Sequence, residues 1–460
     1  MWRLVSLCLL GLFARPVFAG VGASYLNLNL RESQYLGQSP SASSAGRTAT
    51  VVTADLNLET QSAQFNFKLN PVFQGVLEQR EEKYFGVPEF YVQPRRIVPG
   101  FDLTIGRKKR QWSRLDEEFN LGVWQPQLRW DYLAPTQQGL TGVFFDWSLS
   151  SNLHFTFFTS PLFIPDQGPE FQLRGGRFFS ANRWFAPPNP SLSLFQDTGF
   201  AKEAPLYFQI ERPPNSEIFT HSSFGFSLNY QSGGAIWSQV SYAYKPRNQI
   251  HIGIESANAA SPYEINAVMH PKVVSHNVLT WETGFDRVDD RGWMSLTADL
   301  PLASGFPSTF AEPALDNLAI GGFAYQHYIR PWLGVPSWLQ YSYMRVLHFQ
   351  KSNQRQSLAG GSFQSSFGSY AYQELAALDW RLLLRQNRTD HLYLRNRYSY
   401  SIPEGGGWLS AVLDWAKGDF TWSLGLDILG SQVGADSPQA GLFTRYRAND
   451  RLYGALSYVF

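Results

Sequence analysis

The sequence of 460 residues contains one cysteine, Cys8, and only four methionines. Cys8 lies in an apolar N-terminal run, so the rest of the chain can form no disulfide, thiol nucleophile or cysteine-ligated metal site. No uncharged apolar run approaches the roughly 18 residues that a membrane-spanning helix requires. The 38 basic and 37 acidic residues nearly cancel, which argues against a nucleic-acid partner.

Residues 1–19 have the features of a secretory signal peptide. Arg3 supplies a positive start, residues 4–13 form a short apolar stretch, and residues 17–19 end in the small-residue pattern of a cleavage site. The apolar stretch is too short to span a bilayer as a helix. We therefore predict that residues 1–19 are removed on export and that residues 20–460 form the mature protein.

Aromatic residues make up 16% of the chain, with 15 Trp, 22 Tyr and 35 Phe, yet the mean hydropathy is negative. The aromatic residues alternate with polar ones instead of clustering in long apolar segments. In lipid every backbone group must find its partner within the protein, so a membrane protein without apolar helices must be a closed β-barrel. Aromatic belts at the two membrane interfaces of such a barrel also explain the composition.

Alternation with a period of two recurs along the chain and is clearest in the last third. In residues 409–415, for example, Leu409, Leu413 and Trp415 share one strand face, while Ser410 and Asp414 share the other. The pattern predicts an all-β fold: one transmembrane, antiparallel, up-and-down barrel of about 18 strands, within a range of 16–22. A soluble sandwich or propeller is the alternative, but no blade-length repeat is present and the polar faces carry few charges. The turn lengths do not sort into a short set and a long set.

The final strand, residues 452–460, ends on an aromatic residue, Phe460, with Tyr458 two positions earlier. This ending resembles the closing strand of Gram-negative outer-membrane β-barrels. The resemblance implies that the chain resides in the outer membrane in contact with lipid. It also implies that Tyr458 and Phe460 form part of a signal read by the barrel-assembly machinery. Alternation begins already at Leu26, Leu28 and Leu30, which argues against barrels that carry an N-terminal plug or periplasmic domain.

If the apolar faces contact lipid, the opposite faces line the lumen. We expect the pore-lining charges to include residues from the last third of the chain: Asp379, Arg381, Arg395, Arg397, Asp414, Asp427 and Arg445. A barrel of this size is too wide for its wall side chains to fill, so water or inserted loops must occupy the interior. The alternative for each charge is that it pairs across strands and only stiffens the wall.

A second group of candidate pore residues is a basic cluster that follows a short strand: Arg107, Lys108, Lys109, Arg110 and Arg114. Three acidic residues follow at 116–118. The segment resembles the strand-to-loop junctions of substrate-specific porins and of alginate-exporter-like barrels, which implies a basic ladder that guides anionic solutes. The alternative is that basic and acidic groups pair within an ordinary loop that contains a short helix capped by Ser113.

Residues 160–205 lack steady alternation and combine prolines with many aromatic rings and with Arg174, Arg177, Arg183 and Trp184. A disordered loop would not carry so many apolar rings, and ordered loops of this length are usually functional. We predict that this segment folds inward and constricts the passage. Aromatic rings beside arginine also suit stacking on sugars. Residues 350–368 are polar and rich in Gly and Ser, which predicts a flexible surface loop.

The eight histidines are scattered, and no nucleophile elbow or phosphate-binding glycine loop is present. We therefore expect no enzyme activity, no metal and no cofactor. The sequence favours a porin-like channel that passes small hydrophilic solutes through an aqueous lumen. The alternatives are a barrel for polysaccharide export or surface anchoring, and a structural or adhesive barrel.

Overall fold

The computed structural model describes residues 24–38, 46–62, 64–79, 81–94, 98–188, 191–194, 202–233, 235–257, 265–332, 335–350, 357–358, 361–362, 370–434, 437 and 440–460. The predicted signal peptide at 1–19 lies outside the described residues, as does most of the predicted surface loop at 350–368.

Eighteen strands form the main sheet. Their bounds are Tyr25–Tyr35 (β1), Thr48–Gln61 (β2), Phe65–Val76 (β3), Lys83–Pro94 (β4), Phe101–Lys108 (β5), Leu140–Ser148 (β6), Leu153–Ser160 (β7), Ser223–Gln231 (β8), Ile236–Pro246 (β9), Ser275–Asp286 (β10), Asp290–Pro301 (β11), Asn317–Trp332 (β12), Val335–Gln350 (β13), Glu374–Gln386 (β14), Asp390–Ser401 (β15), Gly406–Lys417 (β16), Phe420–Gly430 (β17) and Arg451–Val459 (β18).

Each strand pairs antiparallel with the strands that precede and follow it, and the sheet closes because β1 pairs with β18. The closing register runs from Asn27 opposite Val459 to Tyr35 opposite Arg451. The prediction of a single up-and-down barrel of about 18 strands is confirmed. Closure leaves no strand edge unpaired, which is what a sheet in lipid requires.

The connections at the two ends of the barrel differ in length, although the turn lengths did not separate into a short set and a long set in the sequence. One end carries short turns, such as 287–289 and 418–419, together with the start of β1 and the end of β18. The other end carries the long connections 109–139, 161–222, 247–274, 302–316 and 431–450. We call these the turn end and the loop end. The two sets were hard to separate in the sequence because several loop-end connections contain short strands of their own.

The two faces of a wall strand have very different surroundings. On β10 the inward side chains Val278, Thr280 and Glu282 are at most 1% exposed, whereas the outward Leu279 and Trp281 are 47% and 48% exposed. A β-sandwich would cover the apolar face with a second sheet. In the described part of this chain the apolar face is uncovered, as expected for a surface that meets hydrocarbon.

Aromatic rings gather where the chain ends. Tyr458 packs against Phe420 and Phe460, with ring centroids 4.4 Å apart in each pair. The Phe460 amide donates to the Leu26 carbonyl oxygen at 2.9 Å. The residues of the predicted assembly signal therefore lie at the turn end, beside the seam where β18 meets β1.

Short elements occupy the loop end and the interior. The helices are Arg114–Phe119 (α1), Asn215–Phe219 (α2) and Leu442–Tyr446 (α3), followed by a 3-10 turn at Arg447–Asn449. A four-stranded sheet, called the loop sheet here, is formed by Ser191–Leu194, Lys202–Ile210, Ile265–Lys272 and His251–Ala257. Three pairs of short strands are also present: Gln127–Leu128 with Thr136–Gln137, Gln172–Arg174 with Arg177–Phe179, and Ser357–Leu358 with Gly361–Ser362. None of the helices in the described ranges has the length and apolarity that crossing a bilayer requires.

Candidate functional site

Residues 109–139, which connect β5 to β6, fold into the barrel; we call this segment the plug. Its helix α1 begins after Ser113, whose hydroxyl oxygen accepts from the Asp116 amide at 3.2 Å. The predicted short helix capped by Ser113 is therefore confirmed. Asn120 ends α1 in a left-handed conformation with φ of 49°. The Asp116 carboxylate then accepts from the amides of Val123 and Trp124 at 2.9 and 3.0 Å, which holds the returning chain against the helix.

Wall strands β9 and β10 bind one side of the plug. The fully buried Glu282 carboxylate on β10 accepts from the Ser113 hydroxyl at 2.7 Å and from the Arg114 amide at 2.9 Å. Free amides at a helix start favour a negative group, so Glu282 completes the cap of α1. The Trp124 indole donates to the Thr280 hydroxyl oxygen on the same strand at 3.0 Å.

The opposite wall binds the other side of the plug through buried charges. Arg451 on β18 donates to Asp131 of the plug at 2.6 Å and to Asp427 on β17 at 2.8 Å. Arg31 on β1 approaches the same Asp131 oxygen at 3.4 Å. Burial alone would raise the pKa of the Asp131 carboxyl, but the two guanidinium groups outweigh it and hold that pKa below its usual value. Since β1 and β10 are nine strands apart in a ring of eighteen, the plug spans the diameter of the lumen.

Two more wall contacts complete the attachment around the circumference. Arg110 forms a bidentate pair with Asp146 on β6, with one contact of 2.7 Å. Glu118 of α1 accepts from Ser342 on β13 at 3.3 Å and lies 3.6 Å from Arg397 on β15. The charged residues that surround the plug thus pair mainly with the wall, and not within the loop as the alternative interpretation of the basic cluster supposed.

An apolar core fills the space between the plug and the wall. Trp112 and Trp124 stack with ring centroids 5.4 Å apart, and each is at most 2% exposed. Leu115 is fully buried and packs beside Met344 of β13 in the same cluster. Buried apolar groups at interior packing density exclude water. At the level of the plug, the described residues leave a packed interior instead of an open aqueous lumen.

The other members of the predicted basic cluster also have fixed partners. The Arg107 guanidinium donates to the carbonyl oxygens of Val87 and Gly139 at 2.9 and 3.0 Å. The Lys108 ammonium lies over the Tyr91 ring and 3.3 Å from the Thr104 hydroxyl. Lys109 is bound through its amide, which donates to Glu89 at 3.1 Å. Lys108 stands opposite Leu140 and shares the buried inner face with Thr104. Arg107 instead shares the outer face with the exposed Ile105 and Phe90, so it does not line the lumen as predicted.

Five of the seven predicted charges of the last third lie on three neighbouring strands, β14 to β16, whereas Asp427 lies on β17 and pairs with Arg451, and Arg445 lies outside the wall strands. Arg395 pairs with Asp414 at 2.5 Å, and Arg397 lies 3.5 Å from Asp379. Arg381 stands opposite Arg395 in the β14–β15 register. The Arg395 side chain remains 53% exposed, so water reaches this patch of the inner wall from the turn end.

The segment predicted to constrict the passage, 160–205, enters the barrel only in part. Trp184 is 3% exposed and packs against Tyr446 of α3, with centroids 5.1 Å apart. Arg183 donates to the carbonyl oxygen of Ala448 at 2.7 Å and to the Asn449 side chain at 3.1 Å. Both residues anchor the loop end to the connection between β17 and β18.

Besides Arg107, three of the predicted pore residues lie elsewhere than the sequence suggested. Arg174 and Arg177 are exposed on a hairpin at the loop end, where Arg174 donates to Gln172, so they do not line the lumen. Arg445 lies on α3 and not on an inward strand face. The prediction for Arg445 extended strand periodicity through residues 442–446, but the apolar Leu442, Phe443 and Tyr446 there form one buried helical face instead.

A large cavity of about 570 Å³ opens above the plug at the loop end; we call it the loop cavity. Its floor includes Arg129 and Tyr132 of the plug, and its walls include rings such as Phe171 and Phe185 and polar groups such as Gln249. The loop sheet supports it through a separate apolar cluster around Phe208 and Ile254. Its volume is within the range of about 300–1,000 Å³ that is typical of small-molecule sites.

The charged and imidazole side chains that line the loop cavity in the described ranges are already paired. Contact distances are 3.3 Å for Arg129–Asp166, 3.6 Å for Arg247–Asp299, 2.7 Å for His251–Glu312 and 2.9 Å for His348–Asp316. Burial lowers the pKa of His251 even though Glu312 opposes the shift, so this imidazole is neutral at neutral pH. Burial likewise raises the pKa of Asp166 despite Arg129. Because the charges are satisfied internally, the cavity offers rings and dipoles more than net charge.

Sequence reasoning missed the cavity residues, among them Arg129, Tyr132, Asp166 and Tyr372. A usable signal exists in residues 124–132, where Trp, Gln, Arg, Asp and Tyr are mixed without strand alternation. The described residues contain no group of three His, Cys, Asp or Glu side chains able to hold a metal ion.

Comparison with known proteins gives distant structural similarity only. No protein-family model matches the sequence, and no curated protein matches it. A BenF-like porin from Pseudomonas fluorescens Pf-5 is 8% identical with a TM-score of 0.46, over 95% of this chain and 98% of that one. Acinetobacter baumannii OccAB4 is 9% identical with a TM-score of 0.46, over 95% and 98% of the chains. Wzi of Escherichia coli, described as a carbohydrate-binding barrel involved in group 1 capsule assembly, is 10% identical with a TM-score of 0.45, over 95% and 84%.

The closed barrel and its uncovered apolar band are the features on which the cellular location depends. A closed sheet of eighteen strands with lipid-facing aromatics is the architecture of outer-membrane barrels. The chain is therefore an outer-membrane β-barrel.

Proposed function

We propose that the protein binds an uncharged segment of a surface polysaccharide in the loop cavity. The observation that carries the proposal is a preformed cavity whose rings are accessible and whose charges are already paired. In outer-membrane barrels the long loops face the exterior and the short turns face the periplasm. The loop cavity therefore opens toward the cell surface, where polysaccharide is found.

The rings of the cavity form a platform suited to sugars. Phe171 is 46% exposed and stacks on Phe185, with centroids 5.3 Å apart and planes 22° from parallel. Phe178 lies behind both, 5.3 Å from Phe171. A supported ring loses little conformational entropy when a ligand binds. The neighbouring amides of Gln167 and Gln249 can then orient hydroxyl groups.

The paired charges favour a neutral ligand over an acidic one. A carboxylate or sulfate entering the cavity would have to compete with Asp166 for Arg129 or with Asp299 for Arg247. Breaking a buried pair costs more than an exposed ionic contact returns. A neutral glycan needs only hydrogen bonds and ring contacts, so it binds without disturbing these pairs.

A porin-like channel for small hydrophilic solutes is the second candidate. The packed plug opposes continuous diffusion in the described conformation. One observation favours conduction after a local opening: water reaches the inner-wall charges around Arg395 from the turn end. Recognition depends on the ring platform around Phe171, whereas conduction depends on an opening past the plug, so different variants test them separately.

Binding of neutral oligosaccharides by the detergent-purified protein tests the first candidate. The probes are neutral oligosaccharides from hydrolysed surface polysaccharide and a sulfated oligosaccharide of similar length, measured by titration calorimetry. Phe171→Ala removes a cavity ring and should weaken neutral-sugar binding by roughly 2- to 10-fold, the worth of one ring contact. Phe179→Ala is the matched control, because Phe179 is 40% exposed on the same hairpin but does not line the cavity.

Support for the proposal requires neutral probes to bind more tightly than the sulfated one and only Phe171→Ala to weaken them. Absence of binding to every oligosaccharide would overturn the first candidate and leave the channel and the structural or adhesive barrel. Equal weakening by both variants would move the site off the loop cavity.

A further inference from the structure

We infer that a gated solute route passes the plug on one side only, along strands β13 to β16. The gate is formed by four residues: Arg129, Tyr132, Ala371 and Tyr372. This inference rests on the channel candidate. The gate residues also line the loop cavity, but none of them belongs to the ring platform around Phe171.

Two cavities meet at these four residues. Above them is the loop cavity, and below them is a small cavity of about 60 Å³, called the wall cavity here. The wall cavity is lined by Glu118, Arg397, Ser399 and Trp408 among others. Arg129, Tyr132, Ala371 and Tyr372 line both cavities, so they form the partition between them.

Water reaches the wall below this partition from the turn end. The inward positions of β15 run from Arg395 through Arg397 to Ser399 as the strand rises toward the loop end. Exposure falls along this line: the Arg395 side chain is 53% exposed and that of Arg397 is 27% exposed, while Ser399 is 1% exposed. Ser399 lines the wall cavity. The water-filled part of the lumen thus extends to the level of Arg397, immediately below the wall cavity.

The neighbouring sector of the plug, along β17, β18 and β1, is sealed in a different way. There Arg451, Asp427 and Asp131 form a buried ion-pair chain, with Arg451 only 2% exposed. Trp130 and Leu128 close the neighbouring space against Val51 of β2. Parting buried ion pairs leaves uncompensated charges, whereas rotation of a tyrosine ring leaves none. Buried charged contacts also bind the plug at β6, through Arg110 and Asp146, and at β10, through Glu282. The β13–β16 sector is therefore the one on which a passage can open.

The gate rings are attached to different elements. Tyr132 belongs to the plug and packs against Tyr446 of α3, with centroids 5.1 Å apart. Tyr372 belongs to the connection that enters β14 and packs against Phe443, with centroids 5.5 Å apart. Movement of Tyr372 can join the two cavities while the plug stays attached to the wall.

The wall chemistry below the gate defines the class of solute. Cationic and anionic groups alternate, with Arg397 between Glu118 and Asp379, and Arg395 beside Asp414. Rings of a single sign select ions by charge, and no such ring forms on this wall. Small polar solutes without a strong preference for charge sign fit the route.

Removal of the Tyr372 ring tests the gate in planar bilayers, with potassium chloride as the probe. Tyr372→Ala should raise single-channel conductance or open probability several-fold over the unaltered protein. Tyr84→Ala is the matched control: it removes the same ring from an inward position on β4, nearly opposite β14, where no route is inferred. The control should leave conductance unchanged.

Thiol labelling gives a second readout that does not depend on ion current. Since Cys8 lies in the predicted signal peptide, Ser399→Cys introduces a single thiol in the wall cavity. A membrane-impermeant thiol reagent added from the loop side should react several-fold faster when Tyr372→Ala is also present. Adding Tyr84→Ala to Ser399→Cys should not change the rate.

Each result separates the gate from the channel candidate and from glycan binding. Increased conductance and labelling with Tyr372→Ala alone support the route. If Tyr372→Ala changes neither, or if Tyr84→Ala changes both equally, the inferred route is wrong. A channel that opens only when the whole plug is removed would overturn this gate but keep the channel candidate. Neither outcome bears on sugar binding by the Phe171 platform.

Discussion

Two of the long connections at the loop end of the barrel differ in how far they enter the lumen. The plug, 109–139, is buried along most of its length and contacts wall strands on opposite sides of the barrel. The connection 161–222 places Arg183 and Trp184 in the interior, but its hairpin at 172–179 and its helix α2 are largely exposed. The sequence favoured the second connection as the constriction because it has more aromatic rings.

The difference shows which signals indicate lumen crossing. Aromatic residues of 161–222, such as Phe178 and Phe208, contribute to the apolar cluster that supports the loop sheet and the loop cavity. Both structures lie at the loop end, beyond the ends of the wall strands. The plug instead carries charges whose partners stand on the wall, such as Arg110 with Asp146 and Asp131 with Arg451. A segment that crosses a polar lumen needs charges complementary to the inward strand faces, and ring content alone does not supply them.

Removing each of the two connections in turn should produce the largest difference in conductance between variants. Replacing residues 111–134 by a short Gly/Ser linker should convert a closed barrel into one with large, stable conductance steps in planar bilayers. The linker can be short because Lys108 and Leu140 are already opposite each other in the β5–β6 pair. The barrel wall loses contacts but no strand pairing, so the folded sheet should persist by circular dichroism.

Deletion of residues 171–189 is the matched excision from the other connection. It should change conductance far less, because most of the deleted residues lie at the loop end. Similar conductance after both excisions would show that the two connections share the closure of the lumen.

The barrel was predictable from the sequence because the side chains of a strand alternate between two faces. In a membrane barrel one face meets lipid and the other meets the interior in every strand. Alternation such as Leu409 to Trp415 specifies which side meets lipid without knowledge of any partner. The same parity predicted that Asp379, Arg395, Arg397 and Asp414 line the lumen, and the register places them side by side on β14 to β16. It failed at Arg445, where a buried helical face replaces the strand.

The plug and the loop cavity depend on contacts between distant parts of the chain, which periodicity does not encode. Glu282 meets Ser113, and Arg451 meets Asp131, across separations that no local pattern reveals. Local chemistry did predict the helix start at Ser113, because a cap needs only neighbouring residues. The partners of α1, such as Glu282 and Ser342, lie on wall strands far away in the sequence, so they are known only once the barrel has closed.

Removal of the wall carboxylate that caps α1 should have the next largest effect. Glu282→Ala leaves the Ser113 hydroxyl and the amides of Arg114 and Leu115 without their acceptor inside a water-free core. We expect a loss of about 2–4 kcal/mol in the free energy of unfolding. Denaturant unfolding in detergent micelles, followed by tryptophan fluorescence, measures it.

Asp286→Ala on the same strand is the control for Glu282→Ala. Asp286 pairs with Arg114, but both side chains are partly exposed, at 39% and 27%. An exposed pair contributes no more than about 1 kcal/mol. Equal losses from the two variants would contradict the view that the plug is bound chiefly through its buried contacts.

The smallest expected change in the free energy of unfolding is that between alanine substitutions of two adjacent glycines on β12, Gly321 and Gly322. A Cβ atom on Gly322 would lie 2.3 Å from Leu115 Cδ1 and 2.9 Å from the Tyr343 carbonyl oxygen, whereas one on Gly321 would meet no atom within 4 Å. Both Gly→Ala changes restrict the unfolded chain alike, so the difference between them reports the inward contacts with Leu115 of the plug and Tyr343 of β13. Gly322→Ala should cost about 1–2 kcal/mol more than Gly321→Ala in the same unfolding measurement. If the two variants are equally stable, Leu115 does not pack closely against β12 and the plug is less tightly packed in the lumen than the structure indicates.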